Sequence, residues 1–150
     1  MEATQAQITV RAPLSVVMGV IADLPAYPEW TLGVASAEVL QRTADGLPLR
    51  AHLSVSSGPF AEDIEFLYTW TPPGQVDWEL VTPGLITQLH GRYTCTDNGD
   101  ETTDVSYDLS LELSVPMIGT VRQRAERSLL RGALQGLKKR AEGAVDAVEG

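Results

Sequence analysis

At Pro116 the hydrophobic period of this chain changes. Before it, Val105, Tyr107, Leu109, Leu111 and Leu113 alternate with Asp104, Ser106, Asp108, Ser110 and Glu112. Successive strand side chains point to opposite faces, so this stretch predicts an antiparallel strand with one buried and one wet face. After it, from Met117 to about Val148, no proline occurs and apolar residues recur every three or four positions. Ile118, Val121, Ala125, Leu129, Ala133, Leu137, Ala141, Ala144 and Val148 run down one stripe, widened by Leu130, Leu134 and Val145. That is the signature of one long amphipathic helix, roughly 45 Å at about 1.5 Å per residue. Gly132, Gly136 and Gly143 each weaken such a helix by about 1 kcal/mol relative to alanine, so close approach to a sheet, or a bend over it, is expected as compensation.

The residues before this junction read as strands and turns after a short helical opening. Thr4–Arg11 alternates, with Ala6, Ile8 and Val10 on one side. Pro13 suits a first helical turn, and Leu14, Val17, Met18 and Ile21 predict a helix over Pro13–Asp23. Pro25 and Pro28, in the stretch ending AYPEW, allow only a second, very short helix or turn. Strands are expected at Val34–Arg42, Leu47–Ser56, Glu62–Thr71, around Val76–Leu80, and at Ile86–Thr96. Asp97-Asn98-Gly99-Asp100 is a strong hairpin turn into the 104–113 strand. A strand, two short helices, six strands and one long helix make an α+β pattern, with helices on one side of an antiparallel sheet.

The 150 residues suffice for one domain, residues 1–150, with its own core. At 43% hydrophobic and 21% charged residues, disorder is excluded. The single cysteine, Cys95, excludes a disulfide framework and a cysteine metal cluster. Two histidines, His52 and His90, with no paired carboxylate spacing, predict no metal site. No 18-residue apolar run spans a membrane, and MEATQAQITV lacks the basic and apolar regions of a signal peptide, so a cytoplasmic location is expected. The net charge of -9 argues against nucleic acid and against anionic membrane surfaces. The charge is uneven, however. Residues 116–150 hold seven basic and four acidic side chains, the first 115 four and sixteen. The helix therefore carries a basic face, either a solvated complement to the acidic sheet or a docking surface for a partner.

The order of elements, together with ITVRAPLSVVMGVIADLPAYPEW at residues 8–30 and LHGRYTCTDNGDETTDVSYDLSLEL at residues 89–113, resembles the START, birch-pollen-allergen and polyketide-cyclase superfamily, known as SRPBCC. The opening of that superfamily corresponds to Ala12, Pro13, Asp23, Tyr27, Pro28, Glu29 and Trp30 here. The resemblance covers about Ala3 to Ala147 and is nearest to bacterial proteins of the polyketide cyclase/dehydrase and lipid-transport grouping. It implies a helix-grip fold: a curved seven-stranded antiparallel sheet wrapped around the C-terminal helix. It also implies an apolar cavity between the two. Small helix residues such as Ala125, Gly132, Ala133 and Gly136 suit either close packing or a hollow; the resemblance favours the hollow.

The expected cavity residues are Trp30, Leu53, Phe66, Trp70, Trp78, Tyr93, Tyr107, Leu111, Val121, Ala125 and Leu129. A phenol in an apolar cavity donates a hydrogen bond to a ligand oxygen or a developing oxyanion. Tyr93 and Tyr107 are neighbours across the hairpin; with His90 they are the candidates for chemistry. By alternation His52, His90, Arg50 and Arg92 face away, and the inward rows supply no His, Asp, Glu or Arg. A bulge would turn His52, His90 or Arg92 inward. Three readings follow: a binder or carrier of a lipid, isoprenoid or polyketide; a polyketide cyclase or dehydratase; or a partner module using the basic helix face. None calls for a cofactor. Composition leaves monomer and homodimer equally open.

Overall fold

A computed structural model describes residues 4–31, 33–57, 60–114 and 119–149, with the side chains of 57, 60, 119–122 and 148–149 outside that description. Strand β1, Thr4–Val10, leads into helix α1, Leu14–Ala22, and a 3₁₀ turn, Leu24–Glu29. Six strands follow: β2 Val34–Arg42, β3 Pro48–Ser57, β4 Phe60–Thr71, β5 Gln75–Leu80, β6 Ile86–Asp97 and β7 Thr103–Leu113. Helix α2, Gly119–Glu149, ends the chain. All pairings are antiparallel, in the order β1-β7-β6-β5-β4-β3-β2. This is the helix-grip arrangement. The expected helix start at Met117 and Ile118 fall outside the described residues, and so does the side chain of Val121.

The strands form where side chains alternate, because a half-buried sheet rewards that period. β1 alternates half-buried and exposed residues through to the fully buried Val10. β5 buries Val76 and Trp78 between more exposed neighbours. α1 sends Val17 and Ile21 into the core. Pro25 and Pro28 keep the next segment to a single 3₁₀ stretch, since proline cannot donate to a continuing ladder.

The two edges of the sheet differ. β2 is an edge strand whose register against β3 shifts between Val34 and Ser36, between Val39 and Gln41, and again at Arg42. β1, at the other edge, lies beside α2. There the Lys138 ammonium donates to the Thr9 carbonyl at 3.0 Å, and Glu142 accepts from the Arg11 backbone N–H at 2.9 Å.

Helix α2 differs in phase from the expected stripe. Its buried row is Leu130, Leu134, Leu137 and Ala141, and Glu126 is buried with it, accepting a hydrogen bond from the Thr4 hydroxyl at 3.0 Å. Leu129 is 43% exposed, and Ala125 and Ala144 are exposed. The apolar arc of the helix is wider than its packed face. Only one side of the arc meets the sheet and α1.

Candidate functional site

Between sheet and α2 lies an apolar cavity of about 350 Å³. That size falls in the usual range for small-molecule sites. β3 and β4 contribute Leu53, Ile64, Phe66 and Tyr68; β5 contributes Val76 and Trp78. β6 and β7 contribute Leu89, Tyr93, Tyr107 and Leu111. The helical side consists of Ile21, Tyr27 and Trp30 together with Ala125, Leu129 and Ala133 of α2. Nine of the expected residues therefore share this one space: Trp30, Leu53, Phe66, Trp78, Tyr93, Tyr107, Leu111, Ala125 and Leu129. Val121 lies outside the described side chains.

Trp70 is the correction. It belongs to the inward row of β4 but does not line the cavity. Its indole N–H donates to the Pro48 carbonyl at 2.6 Å, and its ring stacks on Tyr68 with centroids 6.3 Å apart. Alternation fixes the face of a strand residue, not its distance along the strand, and Trp70 sits past the cavity's end.

The floor is an aromatic cluster. Tyr93 pairs with Tyr107 across β6 and β7, ring centroids 4.6 Å apart, and Trp78 sits 5.3 Å from Tyr93 and 5.6 Å from Tyr107. Each such pair contributes about 0.5–1.5 kcal/mol beyond its buried area. Gly91 makes room for it: a Cβ there would overlap the Trp78 indole. Gly136 does the same for the helix, where a Cβ would overlap the Trp30 carbonyl. Trp30 packs edge-on against Tyr27 at 4.8 Å, and the Tyr27 hydroxyl donates to the Ile21 carbonyl.

Among the contributors that escaped the sequence reading, two matter most for the chemistry. Tyr68 occupies the same inward row as Phe66, directly opposite Trp78, and that row was its signal. Glu62 heads the same row, which corrects the expectation that the inward rows hold no carboxylate. Its side chain accepts the Leu85 N–H at 2.7 Å and the Ile86 N–H at 3.2 Å, holding the β5–β6 connection at the cavity mouth. Leu85, 42% exposed, and Leu129 form an apolar lip there.

Burial keeps the phenols and the thiol of the interior neutral. Burial pushes the Tyr93 phenol well above its ordinary range, helped by Tyr107, Cys95 and Tyr68. Burial likewise raises Tyr68, with Tyr107 adding to it, and raises Tyr107. The Cys95 thiol is pushed up to about 12 by burial. No hydrogen bond joins the hydroxyls of Tyr68, Tyr93 or Tyr107 to another described residue, and the Trp30 indole N–H, also at the cavity, is buried without a partner.

His90 lies outside the cavity. It is 42% exposed on the outer face, its Nε2 2.9 Å from Asp77, which also accepts from Arg92 Nε at 2.7 Å. His52 is also outward, 4.0 Å from Asp63. The bulge of β6 falls between Ile86 and Gln88, so the register is regular at His90 and Arg92. Burial opposes ionisation of Asp77, but hydrogen bonds from Arg92, His90 and Gln75 outweigh it and hold its pKa below the ordinary value. A carboxyl whose pKa is lowered on folding stabilises the fold above its unfolded pKa, near 3.9, and loses that contribution as pH falls through the folded value. Asp77→Asn should therefore lower the urea midpoint at pH 7, with the difference from wild type shrinking by pH 3. A constant difference at both pH values would assign the loss to packing instead.

Residues 10–138 match the family described as polyketide cyclase / dehydrase and lipid transport. The chain belongs to that family. The family assignment places it in the SRPBCC superfamily, and solved structures agree on the fold. A START superfamily protein from Mycobacterium smegmatis superposes with a TM-score of 0.82 at 22% identity, over 99% of both chains. The Zhui aromatase/cyclase from Streptomyces sp. R1128 gives 0.71 at 13% identity, over 96% of this chain and 93% of that one. The di-domain aromatase/cyclase BexL of the BE-7585A biosynthetic pathway gives 0.75 at 16% identity, over 95% of this chain and 47% of that one. No curated protein matches at a significant level. Family membership supports a ligand-binding or cyclase-type role. Among the described residues no helix is long and apolar enough to cross a membrane, and no cluster of His, Cys, Asp or Glu is arranged to hold a metal ion.

Proposed function

We propose that this protein binds or carries a hydrophobic small molecule, such as a lipid, isoprenoid or polyketide, between sheet and α2. The observation that carries the reading is the cavity itself, about 350 Å³ with aliphatic and aromatic walls and an apolar lip. The proposed contacts are those of Trp30, Leu53, Phe66, Trp78, Tyr93, Tyr107, Leu111, Ala125 and Leu129. Burying such a ligand gains roughly 25 cal/mol per Å² of apolar surface removed from water, with no polar bond required.

Binding without turnover is the favoured form. General acid–base catalysis needs a cavity group that titrates near neutrality. The phenols and Cys95 are pushed away from it, His90 lies outside, and both Glu62 oxygens accept backbone N–H groups. A cyclase reading draws support from one observation, the neighbouring Tyr93 and Tyr107 phenols with ring centroids 4.6 Å apart, which suit polarising a ketone. The basic-face reading rests on the exposed Arg124, Arg127 and Arg131 of α2.

Native mass spectrometry of protein purified from its own host is the test. The binder predicts a co-purified apolar adduct, stoichiometric with protein and released by organic solvent. Bare protein that also fails to bind an apolar dye would overturn the reading. Incubation with a reactive poly-β-ketone separates the cyclase: a changed product pattern that vanishes in Tyr93→Phe would replace binding with catalysis.

A further inference from the structure

The charges around the cavity are one-sided. Among its described lining residues Glu62 is the one charged side chain, and no Lys, Arg or His is present. An anion drawn into an apolar space needs a cation or several donors to offset lost hydration. Here it would first pass a carboxylate at the mouth, with low-dielectric walls sharpening the repulsion. Its uncharged polar groups are Thr31, Ser56 and the buried, unpartnered Trp30 indole N–H on one side, and three phenols on the floor. Tyr68, Tyr93 and Tyr107 all line the cavity, and their hydroxyls lack protein partners among the described residues. Their rings form one connected patch of the wall: Trp78 lies 6.2 Å from Tyr68 and 5.3 Å from Tyr93, and Tyr107 lies 4.6 Å from Tyr93.

From this we infer that the site selects an uncharged ligand with a flat end bearing a hydrogen-bonding oxygen, set against Tyr68, Tyr93 and Tyr107, and rejects a carboxylate of the same shape. The inference rests on the reading of the cavity as a ligand site and adds the ligand's charge and polar end. A phenol both donates and accepts, so ketones and hydroxyls fit equally. The aromatic floor favours a planar group through offset or edge contacts. A carboxylate would face three neutral phenols and no cation.

Three probes of nearly one shape test this: 2-acetylnaphthalene, 2-ethylnaphthalene and 2-naphthoate, each titrated at pH 7 by displacement of an apolar dye. The ketone should bind about tenfold tighter than the hydrocarbon, the yield of one well-made hydrogen bond. The naphthoate should bind at least about 100-fold more weakly than the ketone. In Tyr68→Phe/Tyr93→Phe/Tyr107→Phe the ketone should fall to the hydrocarbon's affinity, with the hydrocarbon unchanged. Glu62→Gln should strengthen naphthoate several-fold relative to the ketone, and it reports independently if the triple variant folds poorly. Naphthoate binding as tightly as the ketone overturns the inference, as does a ketone advantage that survives in the triple variant. Hydrocarbon binding in either case leaves the cavity reading standing. If none of the three probes displaces the dye, both readings fall together.

Discussion

Ala133→Trp is expected to abolish saturable binding of an apolar dye, raising its Kd at least about 100-fold, some 2.7 kcal/mol. Ala133 lies on α2 beside the packed row and lines the cavity. An indole there points into a space of about 350 Å³ whose opposite wall is the Trp78–Tyr93–Tyr107 cluster. That wall cannot retreat, because β6 and β7 pair without interruption through Tyr93 and Tyr107 and interiors are packed like crystals. Lys139→Trp, on the exposed side of the same helix, is the control and should bind dye like wild type. Equal dye affinity in Ala133→Trp and wild type would place the dye site elsewhere. Thermal melts of both variants separate a filled cavity from a lost fold.

Leu137→Ala is expected to cost about 2–5 kcal/mol, while Leu129→Ala, also an apolar position of α2, should cost under about 1. Leu137 is fully buried; Leu129 is 43% exposed at the cavity lip. For a domain of this size the Leu137 change lowers Tm by roughly 5–15 °C, read by calorimetry. The pair measures the phase of the helix directly. Equal losses would mean that the packed face is centred between them.

That phase marks the limit of what the residues disclose. The strands were legible because period-2 alternation is sharp: β2 runs Val34–Arg42 as expected, and β7 differs by one residue. Outward placement of His52 and His90 followed from the same alternation. Helical period is blunter. Ala125, Leu129 and Ala133 are apolar because they face a hollow, and Leu130, Leu134 and Leu137 because they face a wall; hydrophobicity does not tell these apart. Trp70 was misplaced because position along a strand leaves no trace in alternation. Glu62 was missed because an acidic residue at a strand end reads as solvated, and its partners are backbone N–H groups 23 and 24 residues away.

The unlike edges of the sheet bear on how this protein ages in solution. An open strand edge is a template on which a second chain can pair, and repeated pairing leads to fibres. β2 defends itself through its own backbone: its register slips three times, so no straight partner matches its free N–H and C=O groups. β1 has no such irregularity against β7 and is covered by α2 instead, through Lys138 on Thr9 and Glu142 on Arg11. One edge is thus protected locally and the other only while the last helix stays docked. Loss of α2 through truncation, proteolysis or heat uncovers seven regular residues of β1, and self-association begins at that edge.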